Sequence, residues 1–190
     1  MTHTIPHYIK SNAKNYPKDI ALREKKFGVW KTKDWQQCLE EIENITLGLH
    51  VKGITGKKTI AILGNNTPRW TLAEIAVQSL GSIPLGIYSD ALESEIIYLI
   101  DYSSCRVVFV EDEEQADKIM SLSDSKGKID LIVYDEPKGM NKYDDKRLIS
   151  YKNLLKTGHE FKKHNTNFFN KLLENINEED TCIFCPTSGT

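Results

Sequence analysis

The chain has 190 residues, of which 39% are hydrophobic and 27% charged, so it is long enough for one sizeable hydrophobic core, and its length favours one domain over two. Its 25 basic and 27 acidic side chains give a net charge of -2, which provides no basic field for a nucleic-acid backbone. Nothing approaches the roughly 18 consecutive apolar residues of a membrane span, and the opening MTHTIPHYIK lacks the apolar core of a signal peptide. We therefore expect a cytoplasmic protein without a nucleic-acid partner, and peripheral contact with a membrane stays open.

The first part of the sequence predicts a helix, a hairpin and a second helix. Residues Ile5 to about Asn15 have a helical pattern, and DIALREKKFGVWKTK then alternates apolar and polar residues on both sides of a Lys-Lys-Phe-Gly turn. Asp34 followed by Gln37 is the pattern of a capping box and predicts the start of an amphipathic helix that Gly53 can end.

From Lys58 onward, short continuous apolar runs alternate with helical patterns. The runs TIAILG, SIPLGIYS, CRVVFV and KIDLIVY have the length of strands and do not alternate, which is typical of strands buried on both faces. Helices are predicted to start at Thr67-Pro68 and at Asp90 with Glu93, and a third over about Glu113 to Leu122. This order predicts an α/β fold with a mostly parallel sheet flanked by helices and an added N-terminal hairpin.

The composition changes after this core. Residues 136–179 are rich in Lys, Asn and Asp and predict a polar, solvent-facing connection with two modest helices. We interpret residues 1–179 as one subdomain, with its parallel βαβ core at 57–135. Residues 180–190 then supply the strand TCIFC, predicted over Thr181 to Cys185, and the start of a loop that belongs to a further subdomain.

The loop after this strand is the candidate ligand site. Thr187, Ser188, Gly189 and Thr190 offer three hydroxyl groups and a glycine that lets consecutive backbone N–H groups face one concavity, an arrangement that binds phosphate oxygens. Four residues alone are more often a plain polar turn, and neither the Walker spacing nor a Gly-x-Gly-x-x-Gly follows any predicted strand.

Two other groupings have simpler explanations. Cys182 and Cys185, with His159 and His164 upstream, have the composition of a zinc site. On a strand, however, the two thiols would point to opposite faces, so we interpret them as buried small hydrophobes and predict no metal site.

Arg69 and Trp70 follow a predicted strand, where ligand crevices of open sheets lie. Trp70 fits the packing face of the following helix, and we interpret Arg69 as a solvated surface residue. The acidic run Glu111 to Glu114 is explained by the dipole of the helix that follows it.

The order of these pieces resembles the N-terminal part of the AMP-forming acyl-CoA synthetases, most closely the long-chain fatty acid type. Three stretches carry the resemblance: YIKSNAKNYPKDIALREK, GNNTPRWTLAEIAVQSLGSIPLGIYSDALESEIIYLIDYSSCRVVFVEDEEQADKI and DTCIFCPTSGT. In that family the last strand leads into a phosphate loop, Thr-Ser-Gly-Thr-Thr-Gly-x-Pro-Lys, and Thr187 to Thr190 match its first half. Two departures, Pro186 in place of a common aromatic and GIYSD in place of Pro-Ile-Tyr-Pro-Thr, leave substrate preference open.

The resemblance implies ATP-dependent activation of a fatty acid through an acyl-adenylate to its coenzyme A thioester, with Mg²⁺, and binding of the ATP phosphates by residues 187–190. The match covers about the opening third of such an enzyme, without its catalytic residues, so we expect the 190-residue chain to be inactive by itself. Two alternatives remain: a non-catalytic α/β nucleotide-binding or interaction module, and the corresponding part of a short-chain or aryl-acid ligase.

Overall fold

A computed structural model describes residues 3–122 and 129–187 of the chain. In chain order the elements are α1 (Ile5–Asn15), β1 (Ile20–Lys26), β2 (Val29–Asp34), α2 (Trp35–Val51), β3 (Thr59–Leu63), α3 (Pro68–Ser79), β4 (Ile83–Ile87), α4 (Glu93–Ser103), β5 (Val107–Val110), α5 (Glu113–Leu122), β6 (Leu131–Tyr134), a 3-10 turn (Met140–Lys142), β7 (Leu148–Ser150), α6 (Tyr151–His164) and α7 (Phe168–Leu173).

The centre of the molecule is a five-stranded parallel sheet in the order β4-β3-β5-β6-β7, and β1 and β2 form a separate antiparallel hairpin. Helices cover both faces of the sheet. The predicted α/β fold with a parallel sheet and an N-terminal hairpin is therefore confirmed.

The two faces of the sheet build two separate hydrophobic cores. Successive side chains of a strand point to opposite faces, so Ile60 and Ile62 of β3 pack into one core while Ala61 and Leu63 pack into the other. The first core lies beneath α2, α3, α6 and α7, and the second beneath α4 and α5. Every residue of β5 is buried, which explains why its sequence is continuously apolar.

The predicted helix starts at Asp34 and Thr67 are confirmed, and α5 spans Glu113–Leu122 as predicted. Asp34 accepts the N–H of Gln37 at 2.8 Å while Gln37 accepts the N–H of Asp34 at 2.9 Å, and Thr67 caps α3 ahead of Pro68. The predicted start at Asp90 is wrong. Helix α4 begins at Glu93, and Glu95 accepts the backbone N–H of the N-cap residue Leu92 at 2.8 Å.

Residues 136–179 differ from the predicted solvent-facing connection. They contribute β7, which extends the parallel sheet beside β6, and α6, which packs against α2. Tyr151 and Leu154 of α6 are buried in the first core. With three residues, β7 is too short to show a strand pattern in the sequence. The apolar face of α6 is difficult to recognise because several lysines lie between its apolar residues.

The strand predicted over Thr181 to Cys185 is reduced to one bridge. Phe184 pairs in parallel with Leu85 of β4, and its N–H donates to the carbonyl of Pro84 at 2.8 Å. Pro84 has no N–H, so the outer edge of β4 lacks one of the backbone donors that a fully paired strand would use. The segment is thus attached to the existing sheet through a single residue.

Among residues 3–122 and 129–187, no helix is long and apolar enough to cross a lipid bilayer.

Candidate functional site

The carboxyl ends of the parallel strands form the edge of the sheet where a ligand site is expected. After β3 the chain crosses to β4 on one side, and then returns to β5 on the other side of β3. The order of the strands therefore reverses between β3 and β5, and open α/β sheets bind ligands in the crevice at such a point.

Glu111 connects the loops at this reversal point. Its Oε2 accepts hydrogen bonds from the backbone N–H of Asn65 at 2.7 Å and from the Asn65 side chain at 2.9 Å. Asn65 in turn accepts the hydroxyl of Ser89 at 3.1 Å. A Cβ on Gly64 would lie 2.9 Å from Glu111 Cβ, so this close approach requires glycine. The loops after β3, β4 and β5 are thus held together.

The helix dipole explains only part of the acidic run. Glu113 and Glu114 lie in the first turn of α5, as that interpretation requires. Glu111 instead accepts hydrogen bonds from Asn65 and so connects the loops after β3 and β5. The position of Glu111 in the sequence could have indicated this role. Glu111 directly follows β5, as Gly64 and Asn65 follow β3, and the carboxyl ends of these two parallel strands lie at the same edge of the sheet.

Arg69 is exposed at the surface, as we expected, and its guanidinium is in addition held by specific partners. Its guanidinium forms an ion pair with Asp135 at the end of β6 and lies 5.2 Å from the centre of the Tyr151 ring. The hydroxyl of Tyr151 donates to Glu41 at 2.8 Å. Burial and the neighbouring Glu41 charge raise the pKa of Tyr151 well above its usual value, so the phenol stays protonated and donates.

The indole of Trp70 packs below Gly86 of β4, in agreement with the predicted packing role.

The segment 181–187 follows the outer edge of β4 toward the same carboxyl end of the sheet. Besides the Phe184 bridge, the Gln78 side chain donates to the carbonyl of Cys182 at 3.1 Å, and Lys57 forms an ion pair with Asp180 at 2.5 Å. Because the bridge is parallel, the chain leaves it in the direction in which β4 runs. Thr187 is exposed three residues later. Ser188, Gly189 and Thr190 lie outside the described residues, so Thr187 is the one predicted phosphate-binding residue whose position is known.

Thr187 lines a groove of about 750 Å³ between the β4 edge and α4. The volume lies within the range of about 300 to 1,000 Å³ that small-molecule sites occupy. Aromatic and apolar side chains form much of its wall, including Tyr98, Leu99 and Pro186. Among the described lining residues, Glu95 is the only charged one. This part of the wall offers hydroxyl donors to a phosphate and no positive charge.

The two cysteines of this segment differ from their predicted burial. Cys182 and Cys185 are both exposed, because among the described residues the segment pairs with the sheet through Phe184 alone. In the part of the chain that the structure describes, no group of three or more His, Cys, Asp and Glu side chains is placed to hold a metal ion.

Comparisons with known proteins assign this arrangement to a family. The model of the AMP-binding enzyme family matches residues 9–190, so the chain belongs to the AMP-binding enzymes, as the resemblance in the sequence implied. The long-chain-fatty-acid–CoA ligase ACSBG2 of Xenopus laevis is 21% identical over 187 residues, which are 98% of this chain and 25% of that protein. ACSBG1 of Rattus norvegicus, another long-chain-fatty-acid–CoA ligase, is 23% identical over 90% of this chain and 23% of its own length.

Solved structures show the same fold. A protein from Rhodopseudomonas palustris CGA009, named as a candidate long-chain-fatty-acid CoA ligase, superimposes with a TM-score of 0.66 and 20% identity over 80% of this chain and 36% of its own. The chain spans about a quarter of the length of the curated relatives that it matches.

Proposed function

We propose that the protein containing this chain activates a long-chain fatty acid with Mg-ATP and transfers the acyl group to coenzyme A. The observation that carries the proposal is the family match, which runs through residue 190 and so includes the loop Thr187 to Thr190. The names of the ligases from Xenopus laevis and Rattus norvegicus support fatty acid as the substrate class. The parallel bridge at Phe184, which directs the loop to the carboxyl end of the sheet, supports a ligand site there.

The proposed reaction has two steps. A carboxylate oxygen attacks the α-phosphorus of ATP, the bond to the leaving pyrophosphate breaks, and an acyl-adenylate forms. The thiol of coenzyme A then attacks the acyl carbonyl carbon, gives up its proton, and displaces AMP to form the thioester. Mg²⁺ supplies positive charge to the phosphates in such transfers.

Within this scheme, the Thr187 hydroxyl donates a hydrogen bond to a phosphate oxygen at the rim of the groove. The roles of Ser188, Gly189 and Thr190 in the same loop are proposed from the sequence alone. A donor to a charged phosphate contributes more than a neutral hydrogen bond, about 1.5 to 3 kcal/mol.

We further propose that residues 1–190 alone do not complete the reaction. They correspond to about a quarter of the curated relatives' length, and the described wall of the groove provides no cation for the triphosphate. A purified polypeptide of these 190 residues is expected to form no acyl-CoA from palmitate, ATP and coenzyme A. Product formation above the level of an enzyme-free control would refute this.

The test of the site compares two threonines of the same segment. Thr187→Ala in the protein as the cell produces it is expected to lower palmitate-dependent ATP–pyrophosphate exchange, measured as kcat/KM for ATP, by about tenfold or more. Thr181→Ala, also exposed but six residues earlier, is the matched control and should leave the exchange unchanged. Equal rates for the two variants would remove Thr187 from the phosphate site.

A panel of carboxylates separates the remaining alternatives. Exchange that is faster with hexanoate or benzoate than with palmitate would keep the ligase class and overturn the long-chain assignment. Calorimetric binding of Mg-ATP without exchange on any carboxylate would indicate a nucleotide-binding module instead of an enzyme.

A further inference from the structure

The hairpin of β1 and β2 is an arm whose base is packed and whose tip is exposed. At the base, Leu22 packs against the first core and Lys33 forms an ion pair with Glu41 of α2. Toward the turn, Lys25 pairs with Trp30, and Lys26 pairs with Val29. These residues are all exposed, so the end of the arm extends away from the body of the protein.

The turn holds an apolar residue in a position that disfavours it. Phe27 and Gly28 have φ values of 50° and 78°, which correspond to a two-residue hairpin turn with both central residues left-handed. Asn, Asp and Gly favour such positions, whereas a left-handed conformation is strained for Phe. The Phe27 side chain is also 96% exposed. The phenyl group therefore stabilises neither the turn nor the hydrophobic core of the described structure.

An apolar patch and a band of basic charge coincide on this arm. Val29 and Trp30 are 58% and 62% exposed beside Phe27. Residues 22–33 contain five basic side chains and one acidic one, a local charge of +4 in a protein whose net charge is -2. The ammonium group of Lys25 lies 6.0 Å from the centre of the Trp30 ring. Within the described ranges, Lys26 and Lys31 form no ion pair.

We propose that the tip of this hairpin, residues 25–31, binds an anionic lipid surface. Phe27 at the tip enters the apolar layer with Val29 beside it, and Trp30 lies one residue pair further back, at the level of the headgroups. Lys25 and Lys26, paired with Trp30 and Val29, extend their ammonium groups to the anionic lipids. A combination of apolar burial and several basic residues is what reversible binding to a membrane needs.

The geometry fits a lipid surface better than a nucleic acid. A single-stranded nucleic acid requires aromatic faces along a basic groove on which successive bases stack. Here the most exposed aromatic group projects from the end of the arm, and Val29 beside it has no face for stacking. The proposal is also independent of the ligase reaction, because binding to vesicles is measured without substrates.

The experiment is co-sedimentation of the protein with phosphatidylcholine vesicles, with and without about one third of phosphatidylglycerol. We expect tighter partitioning to the anionic vesicles, and the Phe27→Asn variant should partition about tenfold less strongly or weaker still. Asn suits the left-handed turn, so this variant should retain its fold, which thermal unfolding checks. Tyr102→Asn, at a residue that is 80% exposed on α4, is the matched control and should bind like the original protein.

A charge variant completes the test. Lys25→Gln combined with Lys26→Gln should weaken binding to anionic vesicles about tenfold or more and leave binding to neutral vesicles unchanged. Equal binding to both kinds of vesicle, or full binding by Phe27→Asn, would overturn the proposal. Tighter binding of a single-stranded oligonucleotide than of anionic vesicles would also overturn it, in favour of a nucleic-acid partner.

Discussion

The interface between α2 and α6 and the segment 181–187 represent two extremes of packing in one molecule. Gly48 and Gly158 let the two helix backbones approach so closely that a Cβ on Gly48 would lie 2.9 Å from Leu154 Cδ1. Lys162 adds an ion pair to Glu43 at 2.7 Å. The segment 181–187, in contrast, has one backbone hydrogen bond to β4 and one side-chain hydrogen bond from Gln78.

This difference separates the scaffold from the part that is proposed to bind the ligand. Regions with few buried contacts open at a lower free energy than a packed core. The loop that carries Thr187 begins in such a region, while the sheet that positions it is fixed by helices on both faces. Function on loops supported by a rigid scaffold is a general pattern of folded proteins.

The largest expected effect concerns the close packing of α2 against α6. In Gly158→Ala, the added Cβ would lie 2.7 Å from the carbonyl carbon of Asn44 and 2.8 Å from the backbone nitrogen of Gly48. Overpacking against backbone atoms should lower the free energy of unfolding by about 3 kcal/mol, as measured by denaturant titration. Gly81→Ala is the control, because its φ of 76° strains any side chain in open space. A smaller decrease in the free energy of unfolding for Gly158→Ala than for Gly81→Ala would contradict the close packing of α2 and α6.

The second effect concerns a hydrogen bond at the same interface. Tyr151→Phe removes the donor to Glu41 inside the core and should lower the free energy of unfolding by about 2 kcal/mol. Tyr102→Phe, which alters an exposed phenol, should change it by less than about 0.5 kcal/mol. Equal values for the two variants would show that the buried hydroxyl contributes nothing to stability.

The smallest perturbation leaves the sequence intact and compares the buried cysteines of the two cores with the exposed cysteines of the segment 181–187. Burial raises the pKa of Cys38 and of Cys105 to about 11. At about pH 8 roughly one in a thousand of these thiols is therefore ionised, and the thiolate is the reactive form.

Cys182 and Cys185 are exposed, so iodoacetamide should label these two positions first, as followed by peptide mass spectrometry. The same labelling in guanidinium chloride should reach all four cysteines of the chain. Labelling of Cys105 at the rate of Cys182 in the folded protein would contradict the difference in packing.

Local patterns were sufficient to predict much of the fold from the sequence. The capping box at Asp34 and the turn at Phe27-Gly28 depend on neighbouring residues, and the apolar runs of β3 to β6 reflect burial on both faces. The sequence could not show β7, because three residues carry no periodicity and the strand forms only beside β6.

The sequence proposes the loop of the candidate site but does not reveal the residues around it. Thr187 stays a prediction from a short motif and a family resemblance. The contact of Arg69 with Tyr151 could not be predicted, because it joins residues far apart in the chain. Glu111 was assigned to a helix dipole because its partner Asn65 follows another strand. The exposure of Cys182 and Cys185 depends on how much of the segment pairs with β4, and apolar character alone does not determine this.

Pro84 affects more than the length of one bridge. The outer edge of a sheet is a template on which a strand from another molecule can add, and such addition leads to aggregation. A proline on that edge interrupts the row of donors that a foreign strand would need. The single bridge to Phe184 uses the carbonyl that remains. The residue that weakens the attachment of the chain's own segment therefore also protects the sheet against unwanted self-association.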